Sequence, residues 1–459
     1  LDGNWLFYNA SAGDSEYFRG AFPPGTALLI AAISFITSTD VYVALIILSI
    51  ISVLAIILML RISFAAKSWF LVLSLFSLSF LKISSFAWSE KFFLVGILWF
   101  GISLVKVMQE DKPRKAHYIS LFLASLFSFF IRFIGVFLIG VLGVFILLYL
   151  MKYYKSKDKR FSKKSMCLLM VALLSTILIG GYLLYNKTMT GYFTGVARIP
   201  APESIFENAK SFIRAAKVEF ENFFLLWLDK SVINAMLFAL LLALLFYLKN
   251  IINYFKKTIH TNINKDKVTA AIFFVMGLIY MGTLIILRFR NQFDPFNYRL
   301  LYCGTFLINL AILLFVLNDG LVKKINNSVG KKLCIIIGLF IVLSMALRID
   351  MVKMTDIKAP YYKQMKNEVL YYYQDIKPKS LVVGQNETKL NVGFLRTDIT
   401  TVGEPRFYDD YTNGKYDVYE NIYLDTEVLN EYVKNIENID EAEFYNQYLL
   451  TDDEFIKIK

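Results

Sequence analysis

Residues 89–151 read SEKFFLVGILWFGISLVKVMQEDKPRKAHYISLFLASLFSFFIRFIGVFLIGVLGVFILLYLM. Three apolar runs, Phe92–Val105, His117–Ile131 and Phe133–Leu150, are divided by a basic break at Lys106–Lys115 and by Arg132 alone. A helix needs roughly 17–25 mostly apolar residues to cross the ~30 Å hydrocarbon core of a bilayer. In lipid it must satisfy its own backbone polar groups, which leaves a helical bundle as the architecture. The pattern recurs on both sides of this stretch, at Val41–Leu60, Cys167–Leu184, Ile233–Leu248, Val268–Leu287 and Leu333–Leu347. It predicts an all-α, multi-pass membrane bundle, with Thr26–Ile36 too short to span and therefore re-entrant or tilted.

Composition agrees. The chain is 57% hydrophobic and 19% charged, against ~45–50% and ~25% in soluble domains. Its charge is uneven: up to Arg348 there are 36 Lys/Arg against 16 Asp/Glu, and after it 13 against 21. The cations concentrate in Lys106–Lys115, Lys152–Lys164, Lys249–Lys267 and Lys323–Lys332. By the positive-inside rule these breaks face the cytoplasm, so Asn186–Lys230, Arg288–Arg299 and everything after Arg348 face outward. The basic excess is thus a topology signal, and a nucleic-acid partner is excluded. Cys167, Cys303 and Cys334 lack metal or redox spacing and read as packing residues. His117 and His260, the only histidines, stand in or beside basic loops, which argues against histidine catalysis. The chain starts Leu1-Asp2-Gly3, and we expect an upstream helix and part of the following loop to be missing.

Candidate chemistry gathers on the outward side. The stretch Asp2–Gly25 carries Asp2, Asp14 and Glu16 and closes with Phe22-Pro23-Pro24-Gly25. The prolines stop a helix from running back into it, so its acids are held near an apolar helix start. A carboxylate there has the chemistry of a general base toward an acceptor hydroxyl, or is simply solvated. Arg132, Arg198, Arg288, Arg290 and Arg299 fall at outer helix ends or loops, with Glu90 at another such end. Arginine's planar fork clamps phosphate, and interfacial snorkelling is the plainer reading. In Asn186–Lys230, the near-helical spacing of Ile205, Phe212, Ile213, Ala216, Phe220, Phe223, Phe224 and Trp227 predicts a helix lying in the interface plane.

In this order the elements resemble lipid-donor glycosyltransferases of the GT-C fold, in particular prokaryotic relatives of the dolichyl-phosphate-mannose-protein mannosyltransferases. Phe22-Pro23-Pro24-Gly25-Thr26-Ala27-Leu28-Leu29 is similar to the family's Pro-Pro helix start, and Ser89-Glu90-Lys91-Phe92-Phe93 to its Ser-Glu helix head. Arg132-Phe133-Ile134-Gly135 resembles its Arg-x-x-Gly junction, Thr190-Gly191 its mid-chain outer loop, and Asn297-Tyr298-Arg299-Leu300-Leu301 its late outer-loop motif. The proline usual after that last motif is absent, since Tyr302, Cys303 and Gly304 stand there. The resemblance implies transfer of a sugar from a polyprenyl-phosphate donor on the extracytoplasmic face. It also implies an Asp in the first outer loop as base and an outer arginine on the phosphate. Leu1–Tyr8 resembles the stretch following that Asp, so Asp2 and Asp14 stand in for it. Arg132 and Arg299 are the donor-phosphate candidates, with Glu90 and Arg198 as further outer-face candidates. Metal dependence varies in this family, so no cofactor is assigned and a divalent metal stays open. The acceptor is a glycan, a lipid or a protein. A lipid-linked saccharide transporter or flippase, and a polysaccharide polymerase or ligase, are the competing functions.

The resulting organisation is a bundle over residues 1–348, with outer loops at 1–25 and 186–230, and a small extracytoplasmic α/β domain over 349–459. In that domain Tyr361–Tyr373 and Thr426–Ile436 read as helices, and Ser380–Gly384, Asn391–Phe394 and Tyr416–Leu424 as strands.

Overall fold

The computed structural model describes residues 7–8, 17–18, 23–39, 41–75, 77–85, 88–194, 204–224, 265–290, 296–317, 376–377, 380–383, 399–402, 407–414, 416–417, 419–425, 438–447 and 455–459. The chain divides into two compact units, one of Gly20–Met351 and one of Leu1–Arg19 with Val352–Lys459.

The larger unit is a helical bundle: α1 (Gly25–Thr37), α2 (Val41–Phe64), α3 (Ser68–Leu71), α4 (Leu78–Ser85), α5 (Glu90–Gln109), α6 (Lys115–Ile131), α7 (Phe137–Ser156), α8 (Lys159–Thr190), α9 (Ile205–Phe224), α10 (Lys265–Arg290) and α11 (Tyr298–Val316). Among the described residues six helices are long and apolar enough to cross a membrane: Val43–Phe64, Glu90–Gln109, Phe133–Ser156, Lys159–Met189, Lys267–Arg290 and Tyr298–Phe315. The first five fall on the apolar runs given above and the sixth on the run Arg299–Leu317; His117–Ile131 forms the shorter helix α6, and Ile233–Leu248 and Leu333–Leu347 lie outside the described residues. Apolar side chains such as Ile50, Leu54 and Leu58 on α2, and Leu173, Leu174 and Ile177 on α8, point away from the protein, as suits lipid-facing surface. Inside, hydroxyls tie helices together: Trp99 Nε1 donates to Ser120 Oγ at 2.7 Å between α5 and α6, and Ser125 and Ser175 join α6 to α8 at 2.9 Å. Such bonds hold helices where hydrophobic association has no force.

The basic breaks Lys106–Lys115 and Lys152–Lys164 meet at one end of the bundle, beside the start of α10. Lys164 Nζ donates to the Glu110 carbonyl at 2.6 Å, Arg160 lies 3.7 Å from Asp111, and Gln109 Nε2 donates to Thr269 Oγ1 at 2.7 Å. The end of α5 and the starts of α8 and α10 therefore share this lysine end, as the predicted alternation requires. The start of α5, the end of α6 and the start of α11 lie at the opposite end.

One element departs from expectation. The spacing in α9 suggests a helix lying across the interface, but α9 runs alongside α11 and in the same direction. Phe212 meets Phe296 edge-on at 5.3 Å, and two turns further Glu219 accepts from Thr305 Oγ1 at 3.0 Å. The inward stripe is polar: Asn208, Glu219 and Asn222 are buried. Glu219 also accepts from Ser79 Oγ at 2.5 Å, and Asn222 Nδ2 donates to that same Ser79 at 3.1 Å. A carboxylate that finds hydroxyl donors on α4 and α11 has reason to turn inward, which interfacial periodicity does not foresee. Glu219→Ala leaves Ser79 and Thr305 without this acceptor. The expected cost is about 1–3 kcal/mol, read as a lowered thermal midpoint in detergent; an unchanged midpoint would contradict the network.

The smaller unit holds a four-stranded sheet in the order β4-β3-β5-β6, with β3 (Ser380–Val383), β4 (Ile399–Val402), β5 (Asn421–Asp425) and β6 (Phe455–Lys457). β3 is parallel to both β4 and β5, and β6 is antiparallel to β5. A two-residue ladder, β1 (Phe7–Tyr8) with β2 (Tyr17–Phe18), belongs to the same unit. Helices α12 (Phe407–Thr412) and α13 (Ile439–Asn446) complete the described elements. Leu381, Val383, Phe407, Tyr416, Tyr419, Ile422, Leu424 and Tyr445 form its core. The expected strand at 416–424 is a turn followed by β5, because Tyr416 and Tyr419 are core residues of a loop rather than rungs of a ladder. The segments 361–373, 391–394 and 426–436 lie outside the described residues.

Candidate functional site

Glu90 is the first residue of α5. A carboxylate is favoured there by the positive end of the helix dipole. Its side chain is nonetheless fully buried, which demands partners. Two guanidiniums supply them. Arg132 contacts Glu90 Oε1 through Nη1, and Arg299 donates to the same oxygen from Nε at 2.5 Å. Glu90 Oε2 is buried and makes no hydrogen bond among the described residues.

Each arginine is placed by a break in helix. At the end of α6 Arg132 takes an extended conformation (φ −149°, ψ 132°), and its N–H still closes on the Ser128 carbonyl at 3.0 Å. The chain then tightens through Phe133–Val136, with Gly135 N–H donating to Arg132 O at 2.8 Å. A Cβ on Gly135 would stand 2.5 Å from Phe129 N and 2.6 Å from Ser128 C, so only glycine fits. Close by, a Cβ on Gly25 would stand 2.5 Å from the Phe130 carbonyl. The diproline helix start thus abuts the same end of α6. Arg299 is the second residue of α11, behind the Asn297 cap whose Oδ1 accepts from Leu300 N at 3.1 Å.

More cations surround this core. Lys91 is 1% exposed, with Nζ 3.4 Å from the Ser84 carbonyl. Lys82 Nζ lies 5.1 Å over the Tyr298 ring, and the Arg299 guanidinium lies 4.7 Å over Trp88. Below sits an aromatic floor of Phe93, Phe137 and Tyr280, with Tyr280 Oη donating to Leu300 O at 2.8 Å. Among the described residues Lys82, Lys91, Arg132 and Arg299 stand around the carboxylate of Glu90. Two of these, Lys91 and Arg299, occupy first turns of helices, where a cation opposes the dipole. Helix N-termini favour anions, and so do the arginines, whose side chains keep 18% and 29% of their surface exposed. The arrangement is suited to holding an anion such as phosphate at the mouth of the bundle.

Glu90, Arg132 and Arg299, expected separately at outer helix ends, come together here. Asp2, Asp14 and Arg198 lie outside the described residues. Sequence reasoning did not single out Lys82, Lys91, Trp88 or Tyr298 as site residues; the signal for Lys91 was a cation beside Glu90 at a helix start. Among the described residues no three His, Cys, Asp or Glu side chains gather as a metal site. Glu90 is already taken by cations, so these residues do not fit a divalent ion. Trp88→Leu removes the face that supports Arg299, a contact worth about 0.5–1 kcal/mol. A two- to fivefold weakening of anion affinity is expected, checked by titration; no change would contradict a supporting role for the ring.

No family model and no curated protein sequence matches the chain. Its fold is similar to that of ArnT from Cupriavidus metallidurans in the apo state, with TM-score 0.56 and 10% identity over 95% of this chain and 88% of that one. The same protein bound to undecaprenyl phosphate aligns with TM-score 0.54 and 11% identity, again over 95% and 88%. The archaeal oligosaccharyltransferase AglB from Archaeoglobus fulgidus, in complex with an inhibitory peptide and a dolichol-phosphate, aligns more loosely, with TM-score 0.47, 12% identity and 63% of its length covered. At these identities the likeness concerns the fold alone.

Proposed function

We propose that the chain transfers a sugar from a polyprenyl-phosphate donor to an acceptor hydroxyl or other nucleophile at the arginine end of the bundle. The observation that carries this reading is the convergence of Arg132 and Arg299 on one buried carboxylate at two helix starts. Bound undecaprenyl phosphate in the ArnT structure supports a lipid phosphate as the anion. Arginine pairs suit it, because each non-bridging phosphate oxygen receives its own planar donor.

In the reaction the acceptor oxygen bonds to the anomeric carbon while the bond from that carbon to the phosphate oxygen breaks. The electron pair stays on the phosphate, which goes from a singly charged diester to a doubly charged monoester, and the acceptor proton passes to a base. Arg132 and Arg299 stabilise the charge that appears on the leaving oxygen, the transition-state role for which fixed donors are most effective. Asp2 and Asp14 are the proposed bases. By the positive-inside reading the region after Arg348 also faces outward, and we assign acceptor recognition to it.

The test is incubation of the purified protein with radiolabelled polyprenyl-phosphate sugars and candidate acceptors, beside Asp2→Asn and Asp14→Asn. Transfer lowered at least a hundredfold by one variant is expected. Undiminished transfer by both removes them as base; no transfer from any donor overturns the reading. Transfer only from a diphosphate-linked oligosaccharide makes the protein a polymerase or ligase, and donor translocation without transfer makes it a flippase.

A further inference from the structure

Resting on the lipid-phosphate reading, we propose that Glu90 is an internal competitor for the two arginines: it yields them to the donor phosphate and takes them back to expel the product.

The geometry makes the ion pair strong enough to form and poor enough to displace. Both guanidiniums converge on Oε1, while Oε2 is buried without a hydrogen bond among the described residues. A buried acceptor left unmatched costs about 1–3 kcal/mol. One carboxylate oxygen therefore serves two forks, each built to engage two acceptors. A phosphodiester brings two non-bridging oxygens and gives each arginine its own. Arg299 keeps 29% of its side-chain surface exposed and Arg132 18%, while the Arg132 Nη1 that meets Glu90 is itself buried, so in this proposal the incoming phosphate meets Arg299 first and engages Arg132 as Glu90 gives way.

Charge explains why a competitor is needed. Arg132, Arg299 and the adjacent Lys91 carry three positive charges around the site, and the starts of α5 and α11 add their dipoles. Transfer raises the charge on the bound phosphate from −1 to −2, so the clamp grips the product harder than the substrate. A site of cations alone would be inhibited by its own product. Glu90, fixed at the base of the cluster, keeps the net field lower and offers the arginines an alternative once the sugar has gone. In this role it touches neither the sugar nor the acceptor; it is a positioning residue.

The test measures binding of a short-chain polyprenyl monophosphate and of its methyl diester to the full chain in detergent, for wild type, Glu90→Gln and Glu90→Asp. Glu90→Gln is expected to bind the monoester at least tenfold tighter, with a smaller gain for the diester. In turnover it is expected to lower both kcat and KM and to show a burst of about one transfer per protein. Glu90→Asp retains the charge on a shorter arm and is expected to fall between the two, which keeps the proposal falsifiable if Glu90→Gln folds poorly. Unchanged or weakened monoester binding in Glu90→Gln, or a Glu90→Asp outside that interval, overturns the proposal alone. Failure of wild type to bind either lipid overturns both this proposal and the phosphate reading. The expected binding shifts without sugar transfer from any donor would uphold the competitor and remove the transferase.

Discussion

Arg299→Ala is expected to lower kcat/KM for sugar transfer about a hundredfold or more. A hydrogen bond to a charged group contributes about 1.5–3 kcal/mol, and a loss of roughly 2.7 kcal/mol is a hundredfold in rate. The guanidinium at the start of α11 both grips the phosphate and holds Glu90. Arg299→Lys is expected to recover only a minor part, because an ammonium is a point charge that cannot present a fork to the phosphate while still pairing with the carboxylate. Steady-state kinetics on purified variants, with thermal unfolding in parallel, separate a lost contact from a lost fold; Arg132 remains to neutralise Glu90 in both variants. Activity within threefold of wild type in Arg299→Ala would remove this residue from the phosphate site.

Gly135→Ala has the next largest expected effect, through shape alone. Its new methyl would meet backbone atoms of Ser128 and Phe129 rather than the yielding end of a side chain. Overpacking typically costs about 1–3 kcal/mol, and relief requires the junction between α6 and α7 to open. Arg132 is fixed by its own N–H bond to Ser128 O and by accepting from Gly135 N, so opening the junction moves it away from Glu90. Lower folded yield and at least a tenfold loss of activity in the surviving protein are expected. A fully active, equally stable variant would show that the tight junction does not place the arginine.

How much of this was legible beforehand follows from the physics of each signal. The spans were readable because lipid imposes long apolar runs, and Phe92–Val105 and Val268–Leu287 fall inside α5 and α10. The two ends of the bundle were readable from the lysines, since Glu110, Lys164 and Arg160 do gather. Arg132 stood out as a lone cation between two apolar runs. What the sequence could not convey was convergence: nothing in the spacing joins Glu90 to Arg299 across 209 residues. Nor did the periodicity of α9 reveal that Glu219 would find hydroxyls on α4 and α11 and carry the helix alongside the bundle. Lys91 was hidden for a related reason, because a lysine beside a helix start is ordinarily solvated and this one is buried.

The most direct measurement is equilibrium binding of a polyprenyl-phosphate sugar to the protein in lipid nanodiscs, for wild type and for the triple variant Glu90→Gln, Arg132→Gln, Arg299→Gln. The triple variant removes all three charges without stranding one of them in the interior. Saturable binding by wild type and a loss of more than a hundredfold in the variant are expected. Equal affinity in the two proteins would place the lipid phosphate elsewhere.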